Sequence, residues 1–189
     1  MAERLYLNGQ TVVDRVLSAV VKPGDLVVDC TAGNGHDTLT LARLVGPRGR
    51  VVALDIQPEA LASTRERLKE QPYGGNVELH QMDHQDLEEL DLSGARAFVF
   101  NLGYLPGGDK LRTTRADTTM RALQSCLDRV VSGGVVTLMV YPGHGEGTRE
   151  HWALSTFVKE LDQNQFDVVR MDFPNRKNHS PYPLIIQKL

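Results

Sequence analysis

A glycine turn between an apolar strand and a helix is the first feature of this sequence that could do chemistry. The segment LVVDCTAGNGHDTLTLA, residues 26–42, has this strand, turn and helix order. Gly33 and Gly35 lack a Cβ, so the backbone can pass close to a ligand there. Asp29 ends the strand, where its carboxylate could accept hydrogen bonds from a cofactor ammonium group or from the turn itself. The N–H groups of residues 36–38, at the start of the helix, suit a ligand carboxylate.

Two further acids follow the next two predicted strands. Asp55 stands twenty residues after Gly35 and ends VVALDIQ, where an acid can accept hydrogen bonds from both hydroxyls of a ribose. Gln57 could frame the adenine or the ribose, and Asp83 in QMDHQDL is placed to accept from an adenine amino group. Three acids at successive strand ends indicate a cofactor that carries a nucleoside.

S-adenosylmethionine (SAM) is the cofactor that this pattern favours. The dinucleotide pattern GxGxxG fails at its third position, where Thr38 stands, and Thr31 replaces the first glycine of the common methyltransferase pattern. The alternatives are a nicotinamide cofactor, although the chain has no room for a substrate domain, and a turn that binds no cofactor. The residues that we expect to bind SAM are Asp29, Thr31, Gly33, Asn34, Gly35, Asp37, Thr38, Asp55, Gln57, Asp83, His84 and Asn101.

The segment FVFNLGYLPGGDK, residues 98–110, is the candidate acceptor site. Asn101-Leu102-Gly103-Tyr104 is a relaxed form of the Asn/Asp-Pro-Pro-Tyr turn of amino-group methyltransferases. A side-chain amide oxygen and a backbone carbonyl can accept hydrogen bonds from the attacking nitrogen and aim its lone pair, and an aromatic ring can stack on the target base. Asn, Gly and Pro are also ordinary turn residues, and Tyr104 could simply cover the core.

Short apolar runs alternate with amphipathic stretches along the whole chain, which predicts a parallel sheet with helices on both faces. The predicted strands are residues 26–30, 51–55, 77–80, 97–101, 135–141, 166–173 and 184–189, and the predicted helices are 11–21, 37–45, 58–71, 116–131 and 148–164. The connection PNRKNHSPYP between the last two strands is too short for a parallel crossover. We therefore expect an antiparallel hairpin there, which gives a Rossmann-like methyltransferase fold with an antiparallel last strand.

Length and composition are those of one globular domain spanning residues 1–189. Of the 189 residues, 41% are hydrophobic and 24% charged, and no run approaches the ~18 apolar residues of a membrane helix. The N-terminus does not resemble a signal peptide, so we expect a cytoplasmic protein. Cys30 and Cys126 are expected to be buried free thiols, and no metal-ligand spacing is present. A net charge of -3 restricts any RNA contact to a local basic patch.

Five segments resemble the small bacterial proteins labelled rRNA methylases, whose MnmM type methylates the 5-aminomethyl group of wobble 2-thiouridine in tRNA. They are DCTAGNGHDTLTLA (29–42), ALDIQ (53–57), NLGYLPGGDK (101–110), VYPGHGEG (140–147) and FPNRKNHSPYPLIIQKL (173–189). The resemblance implies class I SAM methyltransferase activity on a tRNA anticodon loop, with the cofactor roles already given. It also implies acceptor-site roles for Asn101, Tyr104 and His144.

The implied alkylamine acceptor has a pKa of about 10, so making it neutral at pH 7 costs roughly 4 kcal/mol. We therefore expect the site to desolvate the ammonium form or to supply a proton acceptor beyond Asn101. His144 in the YPGHGEG loop is the first candidate, and His36 and Tyr141 follow. The alternative is that His144 is a loop residue bonded to backbone.

Basic side chains near the expected catalytic edge are candidates for RNA binding, although charged loops are often only solvated surface. They are Lys110, Arg112 and Arg115 after the acceptor turn, and Arg176, Lys177 and His179 before the last strand. A homodimer could provide a fuller RNA footprint.

Two other functions stay open. One is methylation of an rRNA base or of the nitrogen of a small molecule on the same fold. The other is a noncatalytic module that binds SAM or RNA. The acceptor turn at Asn101 argues against the module, because a pure binder would not need a turn that aims an acceptor.

Overall fold

The computed structural model describes residues 8–69, 71–72, 76–109, 111–143, 145–176 and 180–189. The strands are β1 (Leu26–Asp29), β2 (Arg50–Asp55), β3 (Val77–Gln81), β4 (Ala95–Asn101), β5 (Val135–Val140), β6 (Phe166–Arg170) and β7 (Tyr182–Lys188). The α-helices are α1 (Gly9–Val20), α2 (His36–Val45), α3 (Pro58–Lys69), α4 (Ala116–Arg129) and α5 (Gly145–Phe157). Short 3₁₀ helices cover Gly46–Arg48, His84–Glu89 and Val158–Glu160.

Local signals in the sequence set several helix ends. Asn8 caps α1, because its side-chain oxygen accepts from the backbone N–H of Thr11 at 2.9 Å. Pro58 begins α3 as predicted, since a first-turn N–H would lack an intrahelical partner. The fifth helix is shorter than predicted: it ends at Phe157 and continues as a 3₁₀ turn to Glu160.

The strands form one sheet in the order β3-β2-β1-β4-β5-β7-β6. The first five strands are mutually parallel, and β7 runs antiparallel to both β5 and β6. The predicted antiparallel hairpin is confirmed, and with it the Rossmann-like fold whose last strand is antiparallel. Because Tyr182 pairs with Val140, the connection from β6 to β7 lies at the same edge as the carboxyl ends of β1, β4 and β5.

Apolar cores fill both sides of the sheet. On one side, Leu17 of α1 and Leu41 of α2 pack against inward-facing residues such as Val27. On the other side, Leu123 of α4 and Leu154 of α5 belong to the larger cluster. Each face of the sheet is therefore covered by helices, as the near-continuous apolar strands predict.

Cys30 and Cys126 are free and buried, as predicted. Within the described ranges, no helix is long and apolar enough to cross a membrane. The same residues include no group of three or more His, Cys, Asp or Glu side chains arranged to hold a metal ion.

Candidate cofactor and acceptor site

Asp29 organises the glycine turn from the end of β1. Its side chain is completely buried; Oδ2 accepts from the Thr38 hydroxyl at 2.6 Å and Oδ1 from the Thr31 N–H at 3.2 Å. Of the two roles considered for this carboxylate, bonding to the turn itself is thus present. Burial, followed by repulsion from the Asp37 carboxylate, raises the pKa of Asp29 to about 7.

The two glycines of the turn have different physical reasons to be glycine. Both have positive φ, +52° at Gly33 and +78° at Gly35. A Cβ on Gly35 would lie 2.8 Å from the Cα of Thr64, so this glycine permits α2 to approach α3 rather than giving room only to a ligand. A Cβ on Gly33 would meet nothing closer than 3.7 Å, and the Gly33 N–H donates to Asp55 Oδ2 at 2.9 Å.

At the end of β2, Asp55 also accepts hydrogen bonds from the backbone of nearby turns. Asp55 Oδ1 accepts from the N–H of Gln57 at 2.9 Å, so the carboxylate holds both its own turn and the glycine turn. Partial burial raises the pKa of Asp55, while the backbone hydrogen bonds and the nearby imidazole of His84 act in the opposite direction. Gln57 itself is buried.

His84 is the buried polar group beside these acids. Its imidazole is 7% exposed and meets the ring of Phe100 edge-on, with the ring centroids 5.7 Å apart. Burial lowers the pKa of His84, which favours the neutral ring, and its Nε2 has no hydrogen-bond partner in the described part of the chain. Asp83 caps the short helix that follows by accepting from the Gln85 N–H at 3.0 Å. A buried nitrogen that lies 3.9 Å from Asp83 Oδ1 but has no hydrogen bond in the described part of the chain fits a polar nucleoside ligand.

Asn101 joins the acceptor strand to the glycine turn. Its backbone N–H donates to the Thr31 hydroxyl at 2.7 Å, and its side-chain Nδ2 donates to Asp37 Oδ2 at 3.3 Å. Asp37 Oδ1 in turn accepts from Gln10 of α1 at 2.9 Å. A carboxylate accepts hydrogen bonds and does not donate them, so Asp37 holds the amide nitrogen toward itself and leaves Oδ1 of Asn101 turned away.

Hydrogen bonds join the two ends of the loop that follows Asn101. The Gly103 N–H donates to the Thr114 hydroxyl at 2.8 Å, and the Thr114 N–H donates to the Gly103 carbonyl at 3.0 Å. Tyr104 forms an isolated antiparallel bridge with Thr113. We call residues 101–115 the acceptor loop. The Asn34 amide donates to the Pro106 carbonyl at 3.2 Å, so the predicted cofactor turn and the acceptor loop are in contact.

The candidates for a proton acceptor are not all near this loop. His144 lies outside the described residues. His36 faces α3, where its Nε2 lies 3.1 Å from a guanidinium nitrogen of Arg67. Tyr141 follows β5; burial, followed by the negative charge of Asp37, raises its pKa.

The basic candidates that the structure describes lie toward the carboxyl edge of the sheet. Arg112 and Arg115 are exposed, and Arg115 lies 3.5 Å from Asp117. The Arg176 guanidinium stacks over the ring of Phe173 at 4.0 Å, in the connection between β6 and β7. Lys110, Lys177 and His179 lie outside the described residues.

Several contacting residues were not found by sequence reasoning. They are Gln10, Thr64, Thr114 and Glu150. For Glu150 a signal was available, because it shares a buried helix face with Gly147 and Leu154 at three- and four-residue spacing. For the other three, which are ordinary polar residues of helices and loops, no local pattern was available.

Comparison with known proteins places this geometry in a family. The model described as "Putative rRNA methylase" matches residues 51–187, and a model of protein-L-isoaspartate O-methyltransferases matches residues 10–86. A "tRNA (mnm(5)s(2)U34)-methyltransferase, chloroplastic" from Arabidopsis thaliana is 36% identical over 85% of this chain. The alignment covers 62% of the length of that relative.

Solved structures agree over the full chain. A "putative rRNA-methylase" from Clostridium thermocellum is 38% identical with a TM-score of 0.95, and each chain covers 100% of the other. A methyltransferase from Streptococcus mutans, solved in complex with S-adenosylhomocysteine (SAH), is 35% identical with a TM-score of 0.88, again with 100% coverage of both chains. From the family match, the shared fold and the acidic glycine turn, we conclude that this chain belongs to the rRNA methylase family of SAM-dependent methyltransferases.

Proposed function

We propose that this protein transfers a methyl group from SAM to the 5-aminomethyl nitrogen of wobble 2-thiouridine in tRNA, forming 5-methylaminomethyl-2-thiouridine. The observation that carries the proposal is the orientation of Asn101, whose amide nitrogen is held by Asp37 so that its oxygen is available to an amine. The name of the Arabidopsis relative supports this particular acceptor.

The residues of the three strand ends are suited to hold the cofactor. In this proposal, Asp55 accepts from the ribose hydroxyls, while Asp83 and Nε2 of His84, which has no hydrogen bond among the described residues, face the adenine. The turn that Asp29 and Gly33 build receives the methionyl part. SAM, when bound, supplies an electrophilic methyl group on its sulfonium.

Asn101 acts on the acceptor by positioning. Its Oδ1 accepts a hydrogen bond from the amine, which aims the nitrogen lone pair along the line of the methyl–sulfur bond. The new N–C bond forms as the S–C bond breaks, SAH leaves, and the nitrogen gives up one proton. An alkylammonium must also lose a proton before it can attack, at a cost of roughly 4 kcal/mol at pH 7.

The group that takes this proton stays a prediction. His144 is the candidate from the sequence. The raised pKa of Tyr141 keeps its phenol protonated at pH 7, which argues against Tyr141 as the proton acceptor. General-base assistance of this kind is typically worth about 10²- to 10⁴-fold in rate.

Mass spectrometry of tRNA nucleosides from a deletion strain tests the reaction. We expect the unmethylated 5-aminomethyl-2-thiouridine to accumulate and the plasmid-borne gene to restore the methylated form. An unchanged tRNA profile would refute the tRNA proposal, and loss of a methyl group from rRNA instead would favour the rRNA alternative that the family description suggests.

Substitution of Asn101 tests the assigned role. Asn101→Ala should lower kcat on aminomethyl tRNA by about 10²-fold or more, because the amine loses its aiming acceptor. The Kd for SAM, measured by calorimetry, shows how much of this loss comes from cofactor binding, because Asn101 is also an expected SAM ligand and bonds to Asp37. Asn164→Ala, at an exposed position before β6, is the control and should leave both values unchanged. Full turnover by Asn101→Ala would contradict the assignment.

A further inference from the structure

Residues 105–108 form a tight turn at the tip of the acceptor loop. The Gly108 N–H donates to the Leu105 carbonyl at 2.9 Å, and Gly107 has a φ of +85°. Proline cannot adopt a positive φ, so Pro106 at the second position and Gly107 at the third define a type II β-turn. In this turn type, the peptide between the second and third residues is turned over relative to a type I turn. The direction of the Pro106 carbonyl therefore depends on the left-handed backbone of Gly107.

The same carbonyl accepts a hydrogen bond from the glycine turn. Asn34 Nδ2 donates to it at 3.2 Å. A second contact lies next to this bond, because a Cβ placed on Gly33 would be 3.7 Å from a methyl carbon of Leu105, an ordinary van der Waals distance. Two consecutive residues of the glycine turn, 33–34, thus meet two consecutive residues of the acceptor loop, 105–106.

The backbone of the glycine turn is held by hydrogen bonds from β2 and α3. The Gly33 N–H donates to the Asp55 carboxylate at 2.9 Å, and the Gly33 carbonyl accepts from the Thr64 hydroxyl at 3.0 Å. The Asn34 carbonyl accepts from Nε of Arg67 at 2.6 Å. Asn34 therefore reaches the acceptor loop from a fixed backbone, so its amide can determine where the tip of that loop lies.

We propose that Asn34 is a positioning residue for methyl transfer: its amide holds the Pro106 carbonyl and so fixes the acceptor loop relative to the cofactor at the glycine turn. This proposal rests on the proposed function, in which that turn receives the methionyl part of SAM and Asn101 of the loop receives the amine. The reacting nitrogen and methyl carbon must lie ~3–3.5 Å apart and in line, and a misplacement of about 1 Å costs about 10²-fold in rate. The contact between turn and loop therefore sets how often the two groups meet in a reactive arrangement.

Glycine substitutions test this role from the acceptor loop, at a position that is not among the expected SAM ligands. Gly107→Ala favours a type I turn and moves the Pro106 carbonyl away from Asn34, so kcat at saturating SAM and aminomethyl tRNA should fall about 10-fold or more. Gly107→Asn should stay within threefold of wild type, because asparagine tolerates a positive φ.

Gly94→Ala is the matched control for Gly107→Ala. Gly94 has a φ of +84°, and a Cβ at either glycine would meet nothing within 4 Å. The two alanine variants therefore carry the same backbone strain, but Gly94 precedes β4 at the opposite edge of the sheet from the acceptor loop. Gly94→Ala should keep the wild-type kcat, and an equal loss in both variants would contradict the proposal.

Substitution of Asn34 tests the same bond from the glycine turn. Asn34→Ala removes the donating amide, and kcat should again fall about 10-fold or more. The double variant Asn34→Ala/Gly107→Ala should cost no more than the more severe single variant, because both substitutions remove one bond; multiplied losses would mean that the two residues act independently. The Kd for SAM of Gly107→Ala, measured by calorimetry, should stay within threefold of wild type, since Asp55, Thr64 and Arg67 still hold the turn.

Nuclear magnetic resonance of the isotope-labelled protein provides a readout that does not depend on activity. The side-chain amide signal of Asn34 should shift in Gly107→Ala and keep its wild-type position in Gly107→Asn and Gly94→Ala. An unshifted Asn34 signal in Gly107→Ala, or a wild-type kcat in that variant, would overturn the role of Asn34. If the wild-type protein does not methylate aminomethyl tRNA, the proposed function fails, while the Asn34 signal still decides whether the turn at 105–108 holds the contact.

Discussion

At the scale of a single residue, the buried carboxyl group of Asp29 should make the stability of the glycine turn depend on pH. Its pKa of about 7 in the folded chain lies above the ordinary value of 3.8, chiefly because of burial. A raised pKa means that the folded state binds the proton more tightly than the unfolded state. The stabilising contribution is complete below about pH 4 and is lost as the pH rises through 7.

Asp29→Asn should remove this dependence. Between pH 4 and pH 8, the free energy of unfolding of the variant relative to wild type should rise by up to about 4 kcal/mol, the equivalent of the pKa difference. Urea unfolding at both pH values measures it. Asp167→Asn, at an exposed position of β6, is the control and should show the same difference from wild type at both values. A constant difference for Asp29→Asn would contradict the assignment.

The orientation of Asn101 is also decided by single atoms. An amide presents one donor group and one acceptor oxygen, and a neighbour that can only accept fixes the donor group toward itself. Asp37 is that neighbour, and Gln10 holds Asp37 from the other side. The local sequence around Asn101 contains neither partner, because they lie on two helices earlier in the chain.

At the scale of elements, the conformation of the glycine turn depends on the close approach of α2 to α3. Gly35 has a left-handed backbone, and a Cβ there would overlap the backbone of Thr64. The Thr64 hydroxyl donates to the Gly33 carbonyl at 3.0 Å, so the same contact also holds the turn.

Gly35→Ala should therefore lower the free energy of unfolding by more than the cost of the strained backbone alone. The left-handed conformation costs an alanine about 1–2 kcal/mol, and forced overpacking adds about 1–3 kcal/mol. Gly94→Ala is the matched control, because Gly94 has φ of +84° and nothing within 4 Å of its hypothetical Cβ. Chemical unfolding should show the larger loss for Gly35→Ala. Equal losses in the two variants would show that the approach of α3 is unimportant.

At the scale of the whole molecule, a net charge of -3 is combined with basic side chains at the carboxyl edge of the sheet. Arg112 lies in the acceptor loop, and Arg176 lies in the connection that the β5–β7 pairing brings to the same edge. The Gly46–Arg48 turn precedes β2 and therefore lies at the opposite edge. An RNA bound over the acceptor loop would meet the first two arginines and not the third.

Salt titrations of tRNA binding test this placement. Arg112→Ala and Arg176→Ala should each weaken binding and reduce the slope of log K against log salt by about 1, because each removes one phosphate contact. Arg48→Ala, an exposed arginine at the opposite edge, should leave the slope unchanged. Equal effects of all three substitutions would mean that RNA binding does not depend on the carboxyl edge.

The sequence by itself determined the parts that depend on neighbours in the chain. Apolar runs predicted all seven strands, Pro58 marked the start of α3, and the short PNRKNHSPYP connection predicted the antiparallel hairpin. The acids at positions 29 and 55 were found because strand ends and turns are encoded locally, within a few residues.

Only the tertiary structure decided how those parts are held. The contacts of Gly35 with Thr64, of Asp37 with Asn101, and of Glu150 with Thr119 join residues that are 29, 64 and 31 positions apart in the sequence. Such pairs follow from the order of the strands and the packing of helices on them, which local patterns do not contain. The sequence indicated that a glycine turn and an asparagine could do methyl transfer; the packing of distant helices decided why Gly35 must be glycine and which way Asn101 faces.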